Sequence, residues 1–289
     1  MYPSRFHYEA PTSLDEAFGV LQAYGDEAKI LAGGQSLIPL IKLRFAAPAV
    51  IVDINNIPGL DYHEEASDGS LHVGALCRHR TLERSALLRT KHPTMFATAP
   101  LIADPMVRSR GTLVGSVCHA DPQGDWASVM LALGGEIIAR NPNGGERAIP
   151  ASEFVVGPFQ NALQPNEIAV EARIPAPRGT RTGTYLKLER RVGDFATVGL
   201  AVALEMSGGT INRAGIALTG VGPNNIQCTA AEQSLAGKTL NASTIEQAAR
   251  LSAEAAQPKT DVRGSAEYKR HIVHTFVTRA LTNRVGMAA

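Results

Sequence analysis

The sequence predicts an α+β fold in two domains, and three observations lead to this prediction. The chain has 289 residues, which at roughly 150 residues per domain corresponds to about two domains. Helical and strand patterns are mixed in the first half, whereas the second half shows three strands followed by helices. Between the halves, at residues 174–179, the periodicity breaks in a Pro/Gly stretch. We therefore place the domains at residues 1–177 and 178–289.

The first predicted helix runs from about Ser13 to Tyr24. The sequence Ser-Leu-Asp-Glu at residues 13–16 has the spacing of a capping box, and Gly25 supplies a stop signal. A run of small residues at 127–133 predicts a second helix, and the Asn-Pro-Asn-Gly-Gly cluster at 141–145 predicts a turn. Short apolar runs predict strands at residues 29–32, 50–53, 71–75 and 136–139.

The second half has a simpler pattern. Ser-Gly-Gly at residues 207–209 is a hairpin signal that joins the second and third of its strands. The predicted strands cover residues 184–189, 196–206 and 211–219, and the predicted helices cover residues 230–235, 243–256 and 266–285. The last helix carries an apolar stripe from Tyr268 to Leu281, which we interpret as core.

Composition and charge exclude several classes of protein. Hydrophobic residues make up 44% of the chain and charged residues 19%, as in ordinary globular proteins. The net charge is +1 and no basic run occurs, so the sequence has no source for the counterion release that drives nucleic-acid binding. No stretch reaches the roughly 18 apolar residues that a membrane span needs, and residues 1–8 lack the apolar core of a secretory signal. We expect a cytoplasmic protein.

The cysteine content excludes thiolate metal sites. Cys77, Cys118 and Cys228 are widely spaced, and none belongs to a CxxC motif. Neither a four-cysteine iron–sulfur cluster nor a structural zinc site can therefore be built from thiolates in this chain. An odd and sparse set of cysteines also indicates a reducing compartment. We predict no metal site.

The first motif that points to a ligand is Ala-Gly-Gly-Gln-Ser-Leu-Ile-Pro at residues 32–39, directly after a predicted strand. Two glycines let the backbone approach a ligand and adopt positive φ, so that consecutive N–H groups converge on an anion, and Ser36 adds a hydroxyl donor. The motif could hold a pyrophosphate, although it matches neither the Rossmann nor the Walker fingerprint. The alternative is a tight turn without a ligand.

The second motif is the glycine- and hydroxyl-rich segment at residues 110–122, followed by Gly-Asp-Trp at 124–126. Its backbone donors are accessible by pattern, and Asp121 and Asp125 could accept hydrogen bonds from ribityl or ribose hydroxyls. The alternative for His119 and Asp121 is a local Asx-turn or cap before a proline.

Together with Gly-Asp-Phe-Ala-Thr at residues 193–197, these two motifs resemble those of the flavin-binding medium subunits of the molybdenum hydroxylases. This family includes carbon monoxide dehydrogenase and the FAD domain of xanthine dehydrogenase, and the resemblance covers essentially the whole chain. It implies a PCMH-type FAD-binding domain of two α+β subdomains, followed by a C-terminal three-stranded antiparallel sheet with helices. That division coincides with the one drawn above from pattern.

The resemblance implies which residues bind FAD and that none is catalytic. Residues 32–36 would wrap the pyrophosphate, residues 112–116 would form a second loop facing it, Asp125 would lie by ribityl or adenosine hydroxyls, and Phe195 would shield one isoalloxazine face. The implied cofactor-binding set is Ala32, Gly33, Gly34, Gln35, Ser36, Leu37, Thr112, Val114, Gly115, Ser116, Asp125, Lys187 and Phe195.

Two positions depart from the family pattern. Relatives usually have Gly-Gly where this chain has Val114-Gly115, and a β-branched residue disfavours positive φ, so we expect Val114 to be extended or its loop to be displaced. Relatives often have tyrosine where this chain has Phe195, which offers a π face but no hydroxyl. Gln35 varies with histidine in relatives, which leaves a backbone cradle intact.

Two further segments have open interpretations. The first segment contains three basic residues, Lys187, Arg190 and Arg191. They could be a solvated basic edge of a strand. Alternatively, they could create a positive potential that favours reduced flavin or docks a partner. The loop at residues 220–225 corresponds, by the same resemblance, to a segment near the flavin in xanthine dehydrogenase.

The function implied by the resemblance is electron transfer within a heterotrimer. A large subunit would hold the molybdenum-pterin cofactor, a small subunit would hold two two-iron two-sulfur clusters, and FAD in this chain would deliver electrons to an external acceptor, in a dimer of heterotrimers. Two alternatives are a self-sufficient PCMH-type flavoprotein oxidase or reductase, and a non-catalytic nucleotide-binding assembly module.

Overall fold

The structure, a computed structural model, describes residues 2–285. Its strands are β1 (His7–Glu9), β2 (Ala28–Leu31), β3 (Val50–Asp53), β4 (His63–Glu65), β5 (Leu71–Gly74), β6 (Glu136–Arg140), β7 (Glu146–Pro150), β8 (Val155–Gly157), β9 (Gln160–Asn161), β10 (Ile168–Ile174), β11 (Thr180–Leu188), β12 (Val198–Ser207), β13 (Thr210–Thr219) and β14 (Ile226–Gln227). Its helices are α1 (Leu14–Tyr24), α2 (Leu37–Lys42), α3 (His79–Glu83), α4 (Ala86–Lys91), α5 (Pro93–Thr98), α6 (Pro105–Arg108), α7 (Leu113–His119), α8 (Asp125–Leu133), α9 (Ala151–Phe154), α10 (Thr229–Leu235), α11 (Ala242–Ala255) and α12 (Ala266–Val285).

The chain begins with a three-stranded parallel sheet in the order β1-β3-β2, against which α1 packs. The predicted start of α1 is confirmed, because the Ser13 hydroxyl accepts a hydrogen bond from the Glu16 N–H at 3.2 Å. Glu16 does not close the reciprocal capping box; its carboxylate accepts instead from the Thr12 N–H at 2.7 Å. Gly25 ends the helix at φ 51°, as the sequence predicts.

The second unit is a five-stranded antiparallel sheet in the order β4-β5-β10-β6-β7. The strands predicted at residues 71–75 and 136–139 are β5 and β6 of this sheet. α7 packs against β10 and α8, and α8 contributes the wholly buried side chains of Trp126 and Met130. The first half of the chain therefore consists of two α+β units, as predicted.

The second half contains an antiparallel sheet in the order β11-β12-β13-β14. Its three long strands and its three helices are those predicted, and β14 adds only a two-residue edge. The hairpin between β12 and β13 turns through Gly208 and Gly209, whose φ values of 56° and 81° explain the preference for glycine.

The central strand β12 has an apolar side chain at almost every position because both of its faces are buried. Val202 and Leu204 pack with α10–α12, whereas Ala201 and Ala203 belong to the core of the first half. On the alanine face, α8 comes into backbone contact with the sheet, and a Cβ atom at Gly215 would lie 1.7 Å from the Ala132 carbonyl oxygen. This packing sets the start of α8 beside β11.

A buried ion pair lies where the two halves join. Arg181 and Glu205 are 3.0 Å apart, with side chains 1% and 2% exposed. Glu205 also accepts from the Arg178 N–H at 2.9 Å, and Arg181 donates to the Pro175 carbonyl at 2.8 Å. Both ends of the Pro/Gly stretch are therefore hydrogen-bonded to residues of the second sheet. The domain boundary at residue 177 stays a prediction.

The sequence pattern missed the helices between residues 79 and 119. α3 to α6 have only four to six residues each, and helices of this length are held by tertiary packing rather than by intrinsic propensity. α7 lies in the segment expected to be a loop. Among residues 2–285, no helix is both long and apolar enough to cross a membrane.

Candidate functional site

A cavity of about 700 Å³ lies between the loop after β2, the first turns of α7 and α8, and the end of β11. Its walls come from segments that are far apart in the chain, and residues 102–107 and 161–169 contribute as well. All members of the implied cofactor-binding set line it, namely Ala32, Gly33, Gly34, Gln35, Ser36, Leu37, Thr112, Val114, Gly115, Ser116, Asp125, Lys187 and Phe195. The fold thus brings the predicted residues together in one place.

The loop after β2 presents backbone donors to this cavity. The N–H groups of residues 33–37 donate to no other residue that the structure describes. Gly34 has φ 74°, a conformation that glycine adopts readily. Ser36 stands at the start of α2, and its hydroxyl makes no capping hydrogen bond. Residues 33–37 are half-buried or exposed, and a row of consecutive donors without a partner among the described residues suits an anionic ligand.

Gly33 is required by the opposite loop of the protein itself. A Cβ atom at this position would lie 2.4 Å from the carbonyl oxygen of Arg110 and 2.7 Å from the Cα atom of Gly111. The two loops are therefore in backbone contact, and any side chain at Gly33 forces them apart. The close approach of these two loops sets the shape of the cavity wall beside Gly33.

Two side chains that the sequence did not single out fasten these loops together. The Asn55 side-chain amide donates to the Ala32 carbonyl at 2.8 Å, and Arg78 donates to the Arg110 carbonyl at 2.7 Å. Arg78 also donates to the Asn55 side-chain oxygen. The two carbonyl groups are thus held by one hydrogen-bonded pair. No local motif marks Asn55 or Arg78, because their partners lie 23 and 32 residues away.

The second predicted loop is the start of a helix. Thr112 is the N-cap of α7, and its hydroxyl accepts from the Gly115 N–H at 3.1 Å. Val114 lies within the first turn of α7 and is buried. The expectation that Val114 is extended was wrong, because the residue is helical, a conformation with negative φ that accepts a β-branched residue. The alternative, a displaced segment, stays a prediction. The helix start points N–H groups toward the cavity.

Lys187 is buried and is not part of a solvated basic edge. Its ammonium group donates to the Leu101 carbonyl at 2.9 Å and to Asp125 at 3.0 Å, and the side chain is 2% exposed. Arg190 and Arg191 are exposed, so the solvated interpretation holds for those two residues. The structure therefore separates the three basic residues that the sequence grouped together.

Phe195 lies at the mouth of the cavity with 51% of its surface exposed. The preceding Gly193 has φ 86°, and a Cβ atom there would lie 3.0 Å from the Ala103 carbonyl oxygen. Because Gly193 has no side chain, the segment after β11 can pass close to the backbone of residues 103–104. This path places the Phe195 ring at the cavity mouth. A half-exposed ring at a cavity mouth can lie against a planar ligand.

The loop at residues 220–225 supports the site from behind. The Gly220 N–H donates to the Pro122 carbonyl, and the Asn225 amide donates to the Gly124 carbonyl, each at 3.0 Å. The loop does not contribute to the cavity lining. It therefore braces the segment that begins α8 instead of facing a ligand.

His79 lines the cavity, although the sequence offered no reason to single it out. It is 4% exposed and accepts a hydrogen bond from the Trp126 indole N–H at 3.1 Å. Burial, together with the charges of Arg108 and Arg78, lowers the pKa of His79 to about 3. The imidazole is therefore neutral near pH 7 and supplies no charge to the cavity.

The low pKa of His79 predicts acid destabilisation of the fold. The unfolded chain binds a proton near the ordinary value of 6.5, whereas the folded chain does not until about 3, so stability is lost as the pH falls through this range. We expect His79 alone to lower the free energy of unfolding by about 2 kcal/mol between pH 7 and pH 5. Urea titrations at both pH values measure this, and His79→Gln, which keeps an acceptor for Trp126, should show a smaller pH difference. An equal difference in the variant would show that other groups cause the loss.

Two protein-family models together match nearly the whole chain. The family model described as "FAD binding domain in molybdopterin dehydrogenase" matches residues 4–177, and the model "CO dehydrogenase flavoprotein C-terminal domain" matches residues 183–283. The chain belongs to this family of FAD-binding molybdopterin dehydrogenase components. The predicted family and the predicted α+β fold class are thereby confirmed.

The members of this family most useful for comparison are full-length relatives. The carbon monoxide dehydrogenase medium chain of Hydrogenophaga pseudoflava is 39% identical, over 97% of each chain. The nicotine 6-hydroxylase medium subunit of Paenarthrobacter nicotinovorans is 34% identical, over 95% of each chain. The structure is similar to that of carbon monoxide dehydrogenase from Hydrogenophaga pseudoflava, with a TM-score of 0.92 over 98% of each chain at 40% identity. The protein is therefore an oxidoreductase component with an FAD-binding domain.

The residues present in the cavity fit FAD. The unpartnered N–H groups of residues 33–37 suit a pyrophosphate, and the cavity volume of about 700 Å³ lies within the range of cofactor pockets. Among residues 2–285, no three or more His, Cys, Asp or Glu side chains are grouped so as to hold a metal ion.

Proposed function

We propose that this chain is the FAD-binding electron-transfer subunit of a heterotrimeric molybdenum-containing hydroxylase. The observation that carries the proposal is the convergence of the unpartnered N–H groups of residues 33–37, the start of α7 and the Phe195 ring on one cavity. FAD, when bound, exchanges electrons singly or in pairs, which suits a position between one-electron clusters and an external acceptor.

The residues of the chain bind and orient the cofactor in this proposal. Residues 32–36 hold the pyrophosphate through backbone N–H groups with Leu37 beside them, and Thr112, Val114, Gly115 and Ser116 form the facing helix start. Phe195 covers the isoalloxazine at the cavity mouth, and Lys187 places a positive charge in the wall. Asp125 lies in the same wall, and its expected contact with cofactor hydroxyls stays a prediction.

The partners in this proposal carry the metal centres. A large subunit binds the molybdenum-pterin cofactor, and a small subunit binds two two-iron two-sulfur clusters, as part of a dimer of heterotrimers. The proposal agrees with the chain's cysteines, of which Cys77 and Cys228 are buried and all three are free thiols. Electrons must therefore reach this chain from clusters on another polypeptide. A cytoplasmic location stays a prediction from the sequence.

A self-sufficient oxidase fits the structure less well. Such an enzyme needs a substrate-binding cap and an acid or base at the flavin. α10–α12 pack on the face of the second sheet opposite to the first half, and the second half lines the cavity only through Lys187 and residues 193–195. Among the titratable groups in the wall, His79 is neutral, and Asp125, Glu167 and Asp194 are ion-paired with Lys187, Arg147 and Arg190 respectively. A nucleotide-binding module without flavin would leave the half-exposed Phe195 ring without a role.

The proposal is tested by reducing the FAD-loaded chain with a partner. We expect the purified chain to retain FAD and its flavin absorbance to bleach when a dithionite-reduced two-iron two-sulfur subunit is added. In the absence of such a subunit, small organic substrates should not bleach it. A colourless chain that takes up no FAD would support the nucleotide-binding module, and turnover of a substrate by the isolated chain would support the oxidase.

A further inference from the structure

Asp125 is held on both of its carboxylate oxygens by neighbouring side chains. The Tyr185 hydroxyl donates to Oδ1 at 2.6 Å, and the Lys187 ammonium donates to Oδ2 at 3.0 Å. The residue is 7% exposed and begins α8. Because both oxygens have charge-assisted partners within the protein, Asp125 is better placed to fix Lys187 than to bind hydroxyl groups of a ligand.

The Lys187 ammonium lies in the cavity wall among three oxygen atoms of the protein, those of Leu101, Asp125 and Glu189. Two of its three N–H bonds are directed to the Leu101 carbonyl and to Asp125. The Oε2 atom of Glu189 lies 3.6 Å from the ammonium, within ion-pair distance, and makes no hydrogen bond with the residues that the structure describes. Lys187 lines the cavity while its side chain stays 2% exposed. A buried cation in this position acts strongly on any charge in the cavity, because the surroundings screen it poorly.

The Tyr185 hydroxyl fits in its position only because the residue opposite it, Gly199, has no side chain. A Cβ atom at Gly199, on the neighbouring strand β12, would lie 2.4 Å from the hydroxyl oxygen. The same oxygen is 3.1 Å from the Thr219 hydroxyl, which is hydrogen-bonded to Ser128 on α8. The hydroxyl thus joins β11, β13 and α8. These contacts all involve the hydroxyl oxygen of Tyr185 and not its ring, so an apolar side chain of the same shape would not make them.

We propose that Asp125 and Tyr185 are positioning residues, which together hold the Lys187 ammonium in the cavity wall and so set the reduction potential of the FAD bound there. The inference rests on the proposed function. Reduction adds negative charge to the cofactor, and a nearby ammonium stabilises that charge. The carboxylate of Asp125 partly offsets the ammonium, and the Tyr185 hydroxyl keeps that carboxylate ionised by donating to it.

The titratable groups around Asp125 come from several elements. Burial raises the pKa of Asp125, Lys187 and Tyr185 oppose that rise, and Glu189 adds to it. α3 and α7 present His79 and His119 to the same cavity, and burial lowers the pKa of both, that of His79 to about 3. Loss of the Tyr185 hydrogen bond therefore favours protonation of Asp125 and leaves Lys187 with the more distant Glu189, 3.6 Å away, as its counter-charge.

The test is a spectroelectrochemical titration of the full chain loaded with FAD. Lys187→Gln should lower the midpoint potential, and Asp125→Asn should raise it at all pH values, each by at least a tenfold change in the reduced-to-oxidised ratio, about 30 mV for a two-electron couple. Tyr185→Phe should approach Asp125→Asn at acid pH and the wild type at alkaline pH. Tyr62→Phe is the matched control, since Tyr62 also donates to a carboxylate, that of Glu171, but does not line the cavity.

Two outcomes would overturn the assignment. Wild-type potentials and pH profiles in Asp125→Asn and Tyr185→Phe would show that the network only packs the core. Loss of FAD from Asp125→Asn in a folded chain would show that Asp125 is a direct ligand. Both differ from failure of the proposed function, in which the wild-type chain itself would take up no FAD.

Discussion

Gly33→Val should strongly weaken FAD binding while leaving most of the chain folded. A Cβ atom at this position would meet the Arg110 carbonyl oxygen at 2.4 Å, and valine adds two further methyl groups. The loops cannot keep their separation, and the N–H groups of residues 33–37 lose their common direction. Overpacking of this kind costs about 1–3 kcal/mol or more. If the loops separate to relieve it, closing them around FAD restores that cost, so the affinity should fall by about fivefold to a hundredfold or beyond.

Calorimetric titration of FAD into the apoprotein measures the Gly33→Val effect. Gly19→Val is the matched control, because Gly19 lies on the exposed side of α1 and a Cβ atom there has no neighbour within 4 Å. The control should bind FAD with wild-type affinity. Retention of wild-type affinity in Gly33→Val would refute the placement of the cofactor between these loops.

Glu205→Gln should cost about 3–5 kcal/mol in the free energy of unfolding, the range for breaking a buried ion pair. The substitution leaves the guanidinium of Arg181, with a side chain 1% exposed, without its counter-charge. Arg213, whose NH1 atom is 3.6 Å from Glu205, loses it as well. The junction between the two halves should therefore be the first part of the molecule to weaken.

Chemical denaturation followed by Trp126 fluorescence measures this loss, since the chain has one tryptophan, which is buried in α8. The control is Glu254→Gln, which removes an exposed ion pair with Arg250 one helical turn away. That change should cost less than about 1 kcal/mol. Equal costs for the two variants would mean that the buried pair contributes no more than a surface pair.

Local signals in the sequence predicted much of the fold. The Ser13 cap, the Gly25 stop and the Gly208-Gly209 turn each act through residues that are close in the chain, and each is found where expected. α3 to α7 could not be predicted in this way, because helices so short depend on the sheets against which they pack. Val114 was misjudged for the same reason: a family glycine suggested positive φ, whereas this segment forms a helix.

The site was predictable where backbone motifs define it and not where distant side chains complete it. The glycine loop at residues 32–37 could be located from sequence, because glycine at these positions reflects backbone geometry. Asn55, Arg78 and Tyr185 could not, since each acts on a partner between 23 and 60 residues away. The burial of Lys187 was hidden as well, because its position at the end of a strand is typical of a solvated edge.

A crystal structure of the chain grown with FAD tests the central claim most directly. We expect density for one FAD in the cavity of about 700 Å³, with the pyrophosphate against the N–H groups of residues 33–37 and the isoalloxazine beside Phe195 and Lys187. Density for FAD elsewhere on the chain, or a cavity without FAD at saturating concentration, would contradict the account.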